Sequence, residues 1–158
     1  MKIVKNLAFL LIATLLVGFS FTSCSEDDDD YSKSDLVGTW QLVSGKAVTK
    51  LAGQVVEEWP LGEEGLHTIT LNQDGTFISY SEEEDWYGDI EIEEDEGTWS
   101  LKGNKLTLIS DDEDEDPETA KITKLTSSTL VLEQSEKGKY EGISYEYNRK
   151  QTFIKILD

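Results

Sequence analysis

Short runs of alternating residues, separated by turn residues, constrain the fold of this chain more than any other feature. "LHTITL" at residues 66–71 places two sets of side chains on opposite faces, as in a half-buried strand. Similar runs, rich in β-branched and aromatic residues, begin at residues 39, 76, 97, 105, 120, 129 and 152. Helical spacing of apolar residues is not sustained over any long window after residue 23. The pattern predicts an all-β, antiparallel domain.

The connections between these runs alternate in length. Tight turns are predicted at residues 72–75, 102–104 and 126–128. Longer links are predicted at roughly residues 50–65, 82–95, 111–118 and 136–150. Alternate connections of a meander lie at the same end, so all the long links are expected at one rim. About eight such strands close into a small up-and-down barrel, whose interior holds side chains or one small ligand. Residues 139–150 are either a long link or an extension of the last hairpin.

The first 23 residues have the layout of a secretory signal peptide. Lys2 and Lys5 precede an apolar run at residues 7–19, and small or polar residues follow that run. A membrane-spanning helix needs about 20 apolar residues, so this run is short for an anchor. We therefore predict a signal peptide at residues 1–23, with an uncleaved membrane helix as the alternative.

The only cysteine of the chain, Cys24, follows this segment directly. "FTSC" resembles the lipobox of bacterial lipoproteins, with Phe21 where leucine is usual. The resemblance implies that Cys24 is lipidated, becomes the first residue of the mature chain and holds the protein to a membrane. Multiple acyl chains give stable anchoring where one chain is marginal. A free structural cysteine is the alternative.

An acidic tract, "SEDDDD" at residues 25–30, follows the cysteine. Its like charges repel and keep the chain extended. We predict a lipidated acidic tether at residues 24–35 and a folded domain at residues 36–158. The tract also resembles the acidic signal of surface-exposed lipoproteins in Bacteroidota-type bacteria, which implies an outer-membrane protein that faces the medium. The alternative is a plain spacer on a periplasm-facing lipoprotein.

Within the predicted domain, "LVGTW" at residues 36–40 resembles the Gly-x-Trp motif that opens the first strand of lipocalins. The order of "LVGTWQL", "LNQDGTF" and "GTWSLKGNKLTL" is similar to lipocalin-like domains of Bacteroidota lipoproteins. This resemblance implies a lipocalin-like (calycin) barrel with Trp40 plugging its narrow end. Gly38, Trp40, Gly97 and Trp99 are thus candidate structural motif residues. The simpler interpretation is that both tryptophans are large core aromatics.

Catalytic signals are missing from the sequence. The single histidine, His67, has no cysteine partner for a zinc site within the predicted domain. Neither a nucleophile elbow nor a phosphate-binding loop is present. We predict that the protein is not an enzyme and needs no cofactor. With 33 acidic against 14 basic residues and a net charge of −19, the composition also argues against nucleic-acid binding.

Asp112, Asp114 and Asp116 have the spacing of the first ligands of an EF-hand and are candidate calcium ligands. Pro117 occupies the position of the obligatory glycine, and Thr123 that of the bidentate glutamate. The segment is therefore not an EF-hand. Two interpretations remain: weak calcium binding by the clustered carboxylates, or a solvated charged loop that binds no ion.

Acidic residues concentrate in segments 57–64, 82–96 and 111–118, which we call the acidic segments. Trp59, Trp86 and Tyr87 lie within them. These aromatic side chains could stack on a sugar-like ligand, or could fold under the loops as lids. Two functions remain open: a barrel that binds a small apolar or sugar-like ligand, and a filled barrel whose acidic rim docks a partner protein or companion lipoprotein.

Overall fold

The structure, a computed structural model, describes residues 31–62, 65–85 and 87–156. The predicted signal peptide, Cys24, the acidic tract and Trp86 lie outside these ranges. The elements are α1 (Lys33–Leu36), β1 (Gly38–Leu51), β2 (Gln54–Pro60), β3 (Leu66–Leu71), β4 (Thr76–Glu84), β5 (Ile90–Lys102), β6 (Lys105–Ser110), β7 (Glu118–Leu125), β8 (Thr129–Tyr140) and β9 (Ile143–Ile156).

The strands form one antiparallel sheet that closes on itself. From β3 to β9 each strand pairs with the next, and β9 pairs with β1 from Thr39 to Leu51. The opposite edge of β1 is shared: β2 pairs with its later half and β3 with its first residues. Nine strands therefore fill eight positions of a barrel. The predicted all-β, up-and-down antiparallel barrel is confirmed.

The prediction of long loops at residues 50–65 and 136–150 is wrong. Ala52 and Gly53 alone join β1 to β2, and Glu141 and Gly142 alone join β8 to β9. All four residues have positive φ, as in the two-residue type I′ turns that match the twist of paired strands. Most of each supposed loop is strand, and the segment at residues 139–150 is an extension of the last hairpin.

Two further hairpins complete the same end. Residues 82–84 and 90–95 belong to β4 and β5 rather than to a loop, and the β4–β5 turn covers residues 85–89. The β6–β7 link, residues 111–117, is the one predicted long loop that lacks strand structure. Strict up-and-down order places all four connections at one end of the barrel, which we call the open end. The turns at residues 72–75, 103–104 and 126–128 lie at the other end, the helix end.

The helix end is closed by α1 and two tryptophans. Trp40 is fully buried and Trp99 nearly so, and both belong to one core cluster with Leu36, Leu71 and Phe77. Ser32 and Asp35 cap α1 reciprocally through a capping box. Tyr31 packs against the same core. Residues 31–35, predicted as tether, therefore belong to the folded domain.

Gly97 shows why "GTW" is suited to the β5 position. A Cβ atom at Gly97 would lie 2.0 Å from the carbonyl oxygen of Ile109, so only glycine allows β5 and β6 to approach this closely. Gly38, with φ of 132°, opens β1 in a backbone conformation that favours glycine. Across the described residues, no helix has the length and apolar character that a membrane crossing requires.

Candidate binding site: a polar layer inside the barrel

A cavity of about 50 Å³ lies inside the barrel between its two ends. Towards the helix end its walls are apolar, formed by Ile69, Leu71, Leu106, Leu108, Ala120, Leu130, Leu132 and Phe153. Towards the open end its walls are polar. The change occurs along single strands: His67 precedes Ile69 and Leu71 on β3, and Arg149 and Gln151 precede Phe153 on β9. The site is thus amphipathic along the barrel axis.

We call His67, Arg149 and Gln151, which line the cavity towards the open end, the polar layer. His67 and Gln151 are buried, 3% and 5% exposed. Within the described part of the chain, neither ring nitrogen of His67 nor the amide nitrogen of Gln151 makes a hydrogen bond. His67 Nε2 lies 3.3 Å from Glu83 Oε1, yet the pair does not meet hydrogen-bond geometry. Buried polar groups without partners are rare in folded proteins and mark sites where water or a ligand completes the set.

Arg149 crosses the cavity on its open side. Its guanidinium Nη2 donates to Glu118 Oε2 at 2.9 Å and to Gln134 Oε1 at 2.5 Å. Glu118 lies on β7 and Gln134 on β8. The Arg149 side chain, from β9, therefore extends across β8 to reach β7. Arg149 is 7% exposed, whereas Glu118 is 37% exposed. The Arg149–Glu118 pair therefore forms part of a roof between cavity and solvent.

A second, smaller hydrophobic cluster lies beyond this roof. Ala47 and Leu61 are buried, and Trp59 and Tyr147 pack against them with ring centroids 6.4 Å apart. Burial raises the pKa of the Tyr147 hydroxyl above its ordinary value. The polar layer thus separates two apolar regions, one at the helix end and one at the open end.

Two of the three aromatic residues predicted as ligand contacts, Trp59 and Tyr87, lie in different environments. Trp59 is half-buried on β2 and faces Tyr147, in the arrangement expected of a lid. Tyr87 is 87% exposed in the β4–β5 turn. Trp86 lies outside the described residues. The structure thus places Trp59 near the roof of the cavity and Tyr87 away from it.

The three aspartates weighed as calcium ligands lie in the exposed β6–β7 link. The backbone N–H of Asp114 donates to Asp112 Oδ1 at 3.0 Å, which folds the link onto itself. Among the described residues, no three acidic, histidine or cysteine side chains are grouped so as to hold a metal ion. The spacing of Asp112, Asp114 and Asp116 therefore does not produce a cation cage.

Two of the acidic segments do converge at the open end. Ser110 Oγ donates to Asp95 Oδ1 at 2.6 Å, which links β5 to the end of β6, next to the β6–β7 link. Partial burial, together with the charges of Asp95, Asp112 and Glu118, raises the pKa of the Glu115 carboxyl. Like charges therefore oppose one another where segments 82–96 and 111–118 meet.

Sequence reasoning missed Arg149, Gln151 and Gln134 as interior residues. Residues 149, 151 and 153 share one face of β9, and Phe153 marks that face as internal. The period of two could have identified both polar residues as inward-facing. Arg149 was missed because residues 136–150 are predicted as a long link, and Gln151 because the predicted strand begins only at residue 152. Gln134 lies in the predicted strand that begins at residue 129, to which no inward face was assigned.

Known proteins resemble this chain at two levels. The sequence profile of the lipocalin-like domain family matches residues 36–132. A lipocalin-like protein from Bacteroides uniformis has a similar structure, with 24% identity, a TM-score of 0.42, and coverage of 77% of this chain and 99% of the other. The structure of bovine odorant binding protein with its natural ligand is also similar, with 19% identity and a TM-score of 0.47. This match covers 84% of this chain and 79% of the other. No curated protein gives a significant match.

Proposed function

Because this chain belongs to the lipocalin-like domain family, we propose that it binds a small ligand with an apolar part inside its barrel. Proteins with this fold typically bind small hydrophobic ligands and are generally not enzymes. The observation that carries the proposal is the cavity in which unpaired, buried His67 and Gln151 face an apolar floor. The floor suits an apolar tail, and the polar layer suits a group that hydrogen-bonds.

The size of the cavity limits the ligand. A cavity of about 50 Å³ is roughly a third of the 150 Å³ that accommodates benzene in an engineered protein. At roughly 10–15 Å³ for each water, it accommodates a few water molecules. A larger ligand requires movement of the roof formed by Arg149 and Glu118. We therefore propose a short ligand, or a longer one that extends past the roof towards Trp59.

Xenon tests interior binding without any assumption about polar groups. In the full chain with labelled leucine methyls, xenon is expected to shift the resonances of Leu106, Leu130 and Leu132. Ala120→Leu adds volume to the cavity wall and should abolish these shifts. Thr119→Leu adds a similar side chain on the outer face of the same strand and should leave them unchanged. Xenon shifts that persist in Ala120→Leu would refute an interior site.

We also propose that the barrel is lipid-anchored at Cys24 on the outer membrane and exposed at the cell surface. Support comes from the sequence alone: the signal-peptide layout of residues 1–23, the lipobox-like "FTSC" and the acidic tract after it. Detergent partitioning tests the anchor. Protease treatment of intact cells tests exposure, because a periplasm-facing protein would be protected until the outer membrane is opened.

A second candidate function is docking of a partner protein or companion lipoprotein at the acidic open end. It is favoured by the small size of the cavity and by the convergence of Asp95, Asp112 and Glu115 at that end. A basic partner should be released by salt, since exposed charges are screened within a Debye length of about 10 Å at 0.1 M. Replacing Asp112, Asp114 and Asp116 with asparagine should weaken such a complex, while the xenon shifts persist.

A further inference from the structure

Building on the interior binding proposed above, we infer that the polar end of the ligand is an uncharged group, such as an alcohol, rather than a carboxylate or an amine. The inference concerns the side chains that the ligand would meet at the polar layer. It rests on the hydrogen-bond inventory and on the charges of that layer.

To pair the unpartnered atoms of Gln151 and His67, a ligand group must both accept and donate a hydrogen bond. The Gln151 amide nitrogen has N–H groups to donate and has no acceptor among the described residues. A neutral imidazole at His67 carries one donor nitrogen and one acceptor nitrogen. A hydroxyl group can accept from Gln151 and donate to the unprotonated nitrogen of His67. One uncharged group therefore pairs atoms that are otherwise buried without partners.

The charges disfavour a carboxylate. The guanidinium of Arg149 is held by Glu118 at 2.9 Å and by Gln134. A second carboxylate, Glu83, lies 3.3 Å from His67. An anionic ligand would meet two carboxylates, while the one nearby guanidinium is already neutralised.

An amine is disfavoured for a different reason. An ammonium group has no lone pair, so even where it donates to His67 it cannot accept from the Gln151 amide nitrogen, which stays buried without a partner. Charge and hydrogen bonding together leave an uncharged group as the best match.

The test compares 1-pentanol, pentanoate and pentylamine, which share a five-carbon tail, in the full chain at pH 7.5 and equal ionic strength. The methyl resonances of Leu106, Leu130 and Leu132 report on the interior. We expect 1-pentanol to bind at least tenfold more tightly than either charged probe. This comparison uses the unmodified chain, so it does not depend on whether any variant folds.

A variant locates the polar contact. Gln151→Leu should weaken 1-pentanol binding by roughly tenfold, as for loss of one buried hydrogen bond, and should preserve the xenon shifts. Gln41→Leu, on the outer face of β1, is the matched control and should change neither.

The outcomes separate the two proposals. If xenon and all three pentyl probes leave the interior methyls unshifted, interior binding itself fails. If xenon and 1-pentanol bind but pentanoate or pentylamine binds equally well or better, the barrel is a binding protein and the inference about its polar group is overturned. Equal loss of 1-pentanol and xenon binding in Gln151→Leu would also overturn it, since the effect would then be structural.

Discussion

The indole N–H of Trp40 donates a hydrogen bond to the backbone carbonyl of Leu36, with 2.7 Å between nitrogen and oxygen. Both residues are fully buried. The bond joins the first strand to the end of α1, so the short helix is fixed over the closed end of the barrel. Lys155 Nζ lies over the same ring, 5.0 Å from the ring centroid. Trp40 therefore connects the helix, the first strand and the last strand.

Replacing Trp40 should separate its packing from its hydrogen bond. Trp40→Ala is expected to destabilise the protein by about 3–5 kcal/mol through lost burial and a cavity. Trp40→Phe keeps most of the ring volume but leaves the Leu36 carbonyl unpaired, at about 1–3 kcal/mol. Chemical denaturation measures both. A change below about 1 kcal/mol in Trp40→Ala, typical of surface sites, would contradict the core position.

The turn at Glu141 offers a stabilising substitution. Glu141 has φ of 50°, a left-handed conformation that costs a side-chain-bearing residue roughly 1–2 kcal/mol. Asparagine tolerates this conformation and is preferred at the first position of a type I′ turn. Glu141→Asn should therefore raise the unfolding free energy by about 0.5–1 kcal/mol. Glu141→Gln, which removes the same negative charge without favouring the left-handed conformation, controls for net charge; an equal gain there would make charge the cause.

The Arg149–Glu118 pair should respond asymmetrically to mutation. Glu118→Ala leaves the buried Arg149 guanidinium bonded to Gln134 but without the Glu118 carboxylate. We expect this change to destabilise the folded protein by about 2–3 kcal/mol. The loss is smaller than for a fully buried pair because Glu118 is partly exposed. Arg149→Met replaces the guanidinium with an apolar group of similar length and should cost less. Adding Arg149→Met to Glu118→Ala should recover part of the loss. Additive effects in this double-mutant cycle would show that the two residues are not coupled.

The crowded carboxylates at the open end predict a pH effect. The pKa of Glu115 is raised in the folded protein, chiefly by burial and then by Asp95, Asp112 and Glu118. The folded state thus binds a proton more readily than the unfolded state, so the stability from this group is present at low pH and is lost as pH rises through the folded pKa. On lowering the pH from 7 towards that pKa, the unmodified protein should gain stability relative to Glu115→Gln. Glu113→Gln is the control. If the difference in unfolding free energy between the unmodified protein and Glu115→Gln does not change with pH, the proposed convergence of the acidic segments at Glu115 is contradicted.

Anchoring at Cys24 is tested by Cys24→Ser. The unmodified protein, made in a bacterium that processes lipoproteins, is expected to partition into detergent, and the variant into the aqueous phase. Mass spectrometry of the mature N-terminus should show acyl chains in the former alone. A variant that still fractionates with membranes would show that another feature, such as an uncleaved residue 7–19 segment, holds the protein.

The period of two and the tight turns determined the fold class. Alternation in β3 and β4, with "NQDG" between them, is a local signal, because side chains on successive residues of a strand point to opposite faces. The same signal failed at residues 50–65 and 136–150, where the turns begin with Ala52 and Glu141. Neither residue is a usual first residue of a type I′ turn, and the pairing of β1 with β9 compensates for the unfavourable turn chemistry.

The polar layer depended on contacts that the sequence does not encode locally. His67 and Gln151 are far apart in the chain, and only closure of the barrel places both beside one cavity. The burial of α1 was likewise hidden, because a four-residue helix has little periodicity and its hydrogen bond to Trp40 is a tertiary contact. The sequence alone thus determined the fold class, the central part of most strands and where charge accumulates. The tertiary structure decided which inward-facing polar residues meet at one cavity, because their burial depends on distant strands that complete the barrel.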